Sequence, residues 1–412
     1  MESQYNKKKV SRIAFLCQVF HPDYSSTSQL YTDLLSELSK HNKKITVVCG
    51  YPALLANSAS TPAKEEFQGI TILRVGVRLN YRKNYFYRAI HYLAYLIGVF
   101  RVLFKLRQFD YIIAVTNPPI LPAFLGLMRR FITFRYVLLL LDIFPEGLVA
   151  LGKWKENSSF VKLYKALNKQ AYNKAEKVFT VGRDMRDLII NGYNISSDKV
   201  AHFPEWSSFK FSESSSLRPE LTNLYARLDL RGKFIVQYSG NMALWHDINT
   251  LVRSAKILNN RSDIIFVIIG GGVRLKEAKE LAENLKVKNI HWLPFQPKED
   301  LGDTLACCHM ALISQRKELS GIAVPCKIYG ILASGRGVLA MAPKNSEAAL
   351  IVSKAQCGLI MESDDSKALA EAIILLANNS SQVVEFGRNA YAEYKRNYTL
   401  ESAVQKALKL WE

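Results

Sequence analysis

The sequence predicts an α/β protein built from two doubly wound halves. Short apolar strands alternate with amphipathic helices in residues 11–206, and the same alternation restarts near residue 233. Between them, Ser207–Pro219 is rich in serine, carries charges and shows no periodicity, as a linker does. With 412 residues and 49% hydrophobic composition, the chain can fill two separate cores.

In the first half, Ile13–Cys17 is a strand after a basic lead, and His21–Pro22–Asp23–Tyr24 makes a turn. Ser25–Ser28 then opens a helix whose apolar positions are Leu30, Leu34, Leu35 and Leu38. Strands follow at Ile45–Cys49 and Ile70–Val75, separated by a polar loop over 50–69. Residues 84–108 form a long helix that is aromatic and aliphatic almost all round, which fits burial or a membrane interface. Tyr111–Val115, Tyr136–Leu141 and Lys177–Val181 are strands, the last flanked by helices over 158–175 and 183–191. His202–Trp206 ends the half. Strands alternating with helices imply a parallel sheet.

In the second half, strands are predicted at Phe234–Tyr238, Ile264–Ile269, Ile290–Leu293, Met310–Ile313, Val338–Met341 and Gly358–Met361. Helices fall near 247–259, 273–285, 299–306, 325–334 and 345–354, then 366–378, 380–395 and 399–411. The boundaries read 1–206, a linker over 207–232, a second domain over 233–385 and closing helices over 386–412.

The net charge of +19 is uneven: residues 1–205 hold 29 Lys and Arg against 15 Asp and Glu. Within 74–135, eleven basic residues face one acid, Asp110. Interleaved with Tyr, Phe and Leu, they suggest an anionic membrane surface, with nucleic acid as the rival partner and a solvated basic face as the plain alternative. The start lacks the apolar run of a signal peptide, and no clean transmembrane helix is expected. Six cysteines without a CxxC or CxxH spacing fit a reducing compartment.

Three turns at the carboxyl edge of the second sheet carry the chemistry. Tyr238–Asn241 turns off a strand ahead of His246 and Asp247. Gly270–Gly272 follows the next strand. Gly321–Val324 leads into a helix that starts at Pro325 and carries Lys327. Glycine lets a phosphate approach the backbone, and helix N-termini favour anions. Each turn alone is equally an ordinary αβ connection; three at one edge point to a nucleotide.

These residues resemble the nucleotide-sugar domain of retaining glycosyltransferases of the GT-B fold, family 4 type. The match is carried by YSGN at 238–241, IIGGG at 268–272, WLPFQP at 292–297 and VPCKIYGILASGRGVLA at 324–340. In the first half, TNPPILPAFLG at 116–126 and LLLDIFPEGLVALG at 139–152 resemble the branch that builds bacterial capsule, O-antigen and exopolysaccharide units. The resemblance implies two Rossmann-like domains facing across a cleft, with the C-terminal helix crossing back to the first. It places Gly240, Asn241, His246, Gly271, Gly272, Arg274, Pro294, Phe295, Arg316, Lys327 and Ile328 around the donor. Asp142, His21 and Glu146 fall on the acceptor side, with Asp142 orienting or deprotonating the attacking hydroxyl. Asp142 as a strand-end carboxylate, His246 as a helix-start residue and His21 as a turn residue are the structural alternatives.

Three departures stand out. Asn241 and His246 occupy positions where many members carry Arg and Lys. Ile322 and Gly330 replace a pair of glutamates, and Ser25–Thr27 replaces a Gly-Gly loop. Arg274, Lys276, Arg316 and Lys327 are the cations that could substitute, and Glu318 the carboxylate. No Asp-x-Asp occurs, so neither a metal nor a cofactor is implied. The expected function is transfer of a sugar from a UDP-sugar to a polyprenyl-diphosphate-linked saccharide, peripheral on the cytoplasmic face of the cell membrane, with no nucleic-acid role. A nucleotide-sugar epimerase and a non-catalytic nucleotide-sugar-binding partner are the alternatives.

Overall fold

The computed structural model describes residues 11–23, 25–52, 61–78, 85–209, 219–297 and 299–411. Tyr24 of the first turn, Arg82 and Lys83 of the basic region, and most of the serine-rich linker lie outside them. The chain divides into two compact units. One comprises 1–181, 186–204 and 403–412; the other comprises 182–185 and 205–402. The expected return of the C-terminus to the first unit is thus observed for residues 403–411. There Trp411 is buried with its ring 5.7 Å from that of Phe203.

The first unit runs β1 (Ser11–Leu16), α1 (Ser26–Ser39), β2 (Lys43–Gly50), β3 (Lys64–Phe67), β4 (Ile70–Val75), α2 (Tyr85–Leu106), β5 (Tyr111–Val115), α3 (Leu121–Met128), β6 (Tyr136–Leu140), α4 (Glu146–Ala150), α5 (Ser159–Lys174), β7 (Val178–Thr180), α6 (Arg183–Asp187, begun in the second unit) and β8 (Val200–His202). The sheet order is β3-β4-β2-β1-β5-β6-β7-β8, parallel except for the β3–β4 pair. The chain therefore reverses its winding between β1 and β5, the position where doubly wound sheets open a crevice at their carboxyl ends. Ser25 caps α1 by accepting from the Ser28 amide at 3.1 Å, as the serine run predicts.

Three elements depart from expectation. β3 lies in the predicted loop over 50–69: its sequence Lys-Glu-Glu-Phe has no apolar alternation because it is a solvent-facing edge strand. The helix expected over 183–191 is α6 followed by a π-turn over Leu188–Gly192. No clean transmembrane helix was expected, and among the described residues one helix, Phe86–Leu106, is long and apolar enough to span by length and composition. One face of α2 nonetheless belongs to the core, where Tyr95, Val99 and Leu103 are fully buried and the Tyr95 hydroxyl donates to the Val48 carbonyl at 3.0 Å. The opposite stripe, Phe86, Leu93, Ile97, Phe100 and Phe104, is exposed.

The second unit runs α7 (Asn223–Arg227), β9 (Phe234–Ser239), α8 (Ile248–Ile257), β10 (Ile264–Ile269), α9 (Leu275–Asn284), β11 (Ile290–Leu293), α10 (Leu301–Ala306), β12 (Met310–Ser314), α11 (Lys327–Ala333), β13 (Gly337–Met341), α12 (Glu347–Ala355), β14 (Gly358–Met361), α13 (Ser366–Ala377), α14 (Ser380–Asn397) and α15 (Leu400–Leu410), which passes into the first unit. All six strands are parallel in the order β11-β10-β9-β12-β13-β14. Alternate residues feed two clusters: Ile235, Val267, Ile313 and Val338 enter one, Val236, Phe266, Leu312 and Leu339 the other. A strand buried on both faces needs an unbroken apolar run, which is why these strands were legible.

Within this unit Glu347 at the start of α12 is fully buried. It accepts from the Arg183 amide at 2.8 Å and from Arg183 Nε and Nη2 at 2.9 and 3.1 Å. Asp184 next to it accepts from the Gly321 amide at 2.8 Å, fastening the segment before α11.

Candidate active site

The winding of the second sheet reverses between β9 and β12, so the segments after β9, β10, β11 and β12 meet at one edge. Their backbones interlock. The Gly240 amide donates to Ile269 O at 2.9 Å, Gly270 to Leu293 O at 2.9 Å, and Met242 to Gly271 O at 2.6 Å. Gly240, Gly270 and Gly272 sit at φ near +130°, a region side chains rarely adopt. A Cβ at Gly270 would lie 2.2 Å from the Gly240 carbonyl oxygen, and one at Gly272 2.5 Å from Asn241 Oδ1. A Cβ at Gly271 would meet the exposed Phe295 ring at 3.2 Å. The sequence brings Gly240, Asn241, Gly271, Gly272 and Phe295 together as expected, leaving bare backbone beside an aromatic plate. Pro294 precedes Phe295 on an exposed turn.

Lys327 opens α11 beside this edge. Its Nζ lies 3.8 Å from the Tyr238 ring centroid and about one van der Waals contact from where a Gly240 side chain would begin. The amine is buried and has no hydrogen-bond partner among the described residues. Burial pushes its pKa down to about 7. Ile328 is not brought to the site: its side chain is fully buried in the core and its amide donates to the Pro325 carbonyl.

His246 precedes α8. Its Nδ1 accepts from the Ala243 amide at 3.2 Å, so the ring proton sits on Nε2. Burial, aided by Lys327 and Arg274, pushes its pKa down to about 3. The imidazole is therefore neutral and offers a hydrogen-bond donor at Nε2. Arg274 donates from Nη1 to the His246 carbonyl at 2.8 Å and is held by Glu277 at 2.7 and 3.1 Å. With Arg316 it lines a pocket of about 290 Å³ that also includes Asp247, Glu318, Ser363 and Asp364. Glu318 thus reaches the pocket, while Lys276 is 88% exposed and faces Glu280 instead. Sequence reasoning places Asp247 only at the opening of the helix after the first turn, and it misses Ser363 and Asp364. Asp247 caps α8 through the Thr250 amide, and no spacing links it to Ser363.

In the first unit, Asp142 follows β6. The Thr116 hydroxyl oxygen, after β5, accepts from the Leu141 and Asp142 amides at 3.0 and 3.3 Å. The carboxyl group is partly buried, and desolvation pushes its pKa up to about 6. Glu146 Oε1 accepts from the Tyr193 hydroxyl at 2.6 Å and lies 3.8 Å from Lys165 Nζ, while Oε2 is buried with no hydrogen-bond partner among the described residues. His21 stacks on Phe67 at 3.9 Å, and its carbonyl accepts from Arg74 at 3.0 Å. Burial lowers its pKa, so it too is neutral near pH 7.

Residues 31–206 match the family model described as glycosyl transferase 4-like domain, and 226–393 match glycosyl transferases group 1. The chain belongs to the GT-B glycosyltransferases of the family 4 type. It is 26% identical over 280 residues to WbjE of Pseudomonas aeruginosa, named as a probable glycosyltransferase, covering 68% of this chain and 69% of that protein. WcaI of Escherichia coli, provisionally named a colanic acid biosynthesis glycosyl transferase, is 22% identical over 340 residues, or 80% and 82% of the two chains. The fold of Anabaena HepE, solved in complex with UDP-glucose, superposes with a TM-score of 0.70 at 14% identity over 97% of this chain and 99% of that one. In this chain the glycine edge, Lys327 and the Arg274–Arg316 pocket lie at the carboxyl end of the second sheet.

Proposed function

We propose that this glycosyltransferase moves a sugar with retention from a UDP-sugar to a polyprenyl-diphosphate-linked saccharide in bacterial surface polysaccharide biosynthesis, covering O-antigen and capsule. The observation that carries the donor assignment is Lys327, a buried amine without a hydrogen-bond partner, beside a backbone edge where a side chain would collide. A diphosphate oxygen satisfies that amine and fits that edge. UDP-glucose in the HepE complex and the polysaccharide role in the name of WcaI support the donor and pathway classes.

In the reaction the bond from the sugar C1 to the diphosphate oxygen breaks with its electron pair going to the diphosphate. Lys327, Arg274, the His246 Nε2–H and backbone amides stabilise the growing charge. The acceptor hydroxyl attacks C1 from the same face, and its proton passes to the leaving phosphate or to Asp142. The residues named serve this without a metal.

The exposed apolar stripe of α2, flanked by Arg88, Arg101 and Lys105, suits the cytoplasmic face of an anionic membrane, where a lipid-linked acceptor resides.

Purified protein incubated with UDP-sugars and a detergent-dispersed polyprenyl-diphosphate saccharide tests the reading by product mass and UDP release. Formation of an extended saccharide with UDP release supports it. UDP release without transfer favours an epimerase. UDP binding without turnover on any acceptor favours a non-catalytic partner, for which Ile322 and Gly330 in place of the glutamate pair speak.

A further inference from the structure

The opposite edge of the second sheet carries a cavity that sugar transfer does not use. It measures about 420 Å³, within the range of small-molecule pockets. Four of its lining residues stand where strands begin: Phe234 opens β9, Asp263 precedes β10, His309 precedes β12 and Arg336 precedes β13. In a parallel sheet this is the amino-terminal edge, the far side from Gly240 and Lys327.

Arg336 is 3% exposed, and its Nε and Nη2 are buried without a hydrogen-bond partner among the described residues. A guanidinium keeps its charge even when burial lowers its pKa, as here. Its neighbours do not neutralise it. The Cys307 and Cys308 thiols are pushed up to about 11 and 12 and stay protonated. Glu220 on the same wall is exposed and makes no hydrogen bond to it among the described residues. Buried charges are ordinarily paired, so this one lacks its partner.

A second donor faces the same cavity. His309 Nδ1 accepts from the Ile235 amide at 3.0 Å, and burial holds the ring neutral, so its proton is on Nε2. The ring stacks on Phe234 at 5.0 Å. Tyr225, Leu376 and Val383 add apolar wall, while Lys233, Asp263 and Ser380 add polar groups to it.

We propose that this cavity is a second ligand site, taking a small molecule with an oxyanion group for Arg336 and His309 and an apolar body for the Phe234 side. A carboxylate and a phosphate monoester share that chemistry. The site is separate from donor and acceptor, so its occupancy does not depend on which sugar is moved.

Isothermal titration of the full chain with benzoate, phenyl phosphate and inorganic phosphate tests it. Saturable binding of benzoate or phenyl phosphate is expected, and the stronger of the two identifies the headgroup. Inorganic phosphate binds more weakly because it lacks the apolar body. Arg336→Met weakens binding about tenfold or more, Arg336→Lys by less, and Glu220→Gln strengthens it by removing a competing carboxylate. Lys327→Met leaves it unchanged. Affinity that follows Lys327 rather than Arg336, or no saturable binding of any probe, overturns the proposal. If Arg336→Met fails to fold, unchanged affinity in both Arg336→Lys and Glu220→Gln overturns it equally.

Discussion

Lys327 Nζ stands 3.8 Å from the centre of the Tyr238 ring, a cation held over an aromatic face. The ring offsets only part of what burial costs the ammonium, and the pKa falls to about 7. Two opposite pH dependences follow. Between pH 7 and 10.5 the unfolded chain binds the proton that the folded chain has released, so this residue's contribution to stability rises with pH. In the proposed donor role UDP binding runs the other way: the diphosphate would need the ammonium, so affinity should be flat below pH 7 and fall above it, by up to about tenfold per unit. Titrations of UDP from pH 6 to 9 read this directly. Lys327→Met should bind about 10- to 100-fold more weakly with a flat profile; a wild-type profile in that variant would remove Lys327 from the donor site.

Gly270 is the tightest point of the glycine edge. Gly270→Ala combines a forbidden φ with overlap on the Gly240 carbonyl, and should cost at least about 2 kcal/mol of stability and most UDP affinity. Gly232→Ala in the same unit has a positive φ but open space around it, and should cost roughly 1 kcal/mol with donor binding intact. Chemical denaturation and UDP titration of the pair separate backbone strain from site geometry.

As the proposed base, Asp142 acts only when ionised. With its pKa pushed up to about 6, transfer at low substrate should decline as pH drops through 6. Asp142→Asn should lower kcat by about 100-fold or more while UDP affinity stays as in the wild type. A kcat within threefold or so of wild type would assign the residue to structure alone.

Arg183 and Glu347 form a pair that is weak evidence for stability but costly to break. Arg183→Ala removes the charge that faces a buried carboxylate, leaving the backbone amide as donor, and should destabilise by about 3 kcal/mol. The double change Arg183→Met with Glu347→Leu should recover most of that loss. Equal destabilisation by single and double variants would show that packing, not charge, is at stake.

The outer stripe of α2 predicts membrane affinity. Co-sedimentation with phosphatidylglycerol vesicles should fall at least about tenfold when Leu93, Ile97 and Phe100 are changed together to Ser, with the melting point nearly unmoved because all three are exposed. Higher salt should weaken the wild type through its basic flank. Equal sedimentation of the two proteins would remove the membrane from the reading.

Both sheets were legible because parallel strands buried on two faces leave continuous apolar runs such as Ile264–Ile269, whose limits agree with β10. β3 was hidden because its Lys-Glu-Glu-Phe sequence lies at an edge, with Lys64 and Glu66 exposed and Glu65, an inward residue, charged and paired with Arg74. The glycine turns were visible as motifs, since φ near +130° admits little else. The environments were not visible. Nothing in the spacing told that His246 is held neutral, that Ile328 points into the core, or that Glu146 is bound by Tyr193. Asp247 and Ser363 meet in one pocket only because the chain winds back through β14.

Burial divides the cysteines unevenly. Cys17, Cys49, Cys307, Cys308 and Cys357 are buried with thiols held protonated, whereas Cys326 is exposed and immediately precedes Lys327. In the folded protein, a thiol-directed reagent therefore finds a single address, at the threshold of the donor site. A spectroscopic tag placed there turns the native sequence into its own reporter of nucleotide arrival, without engineering a residue.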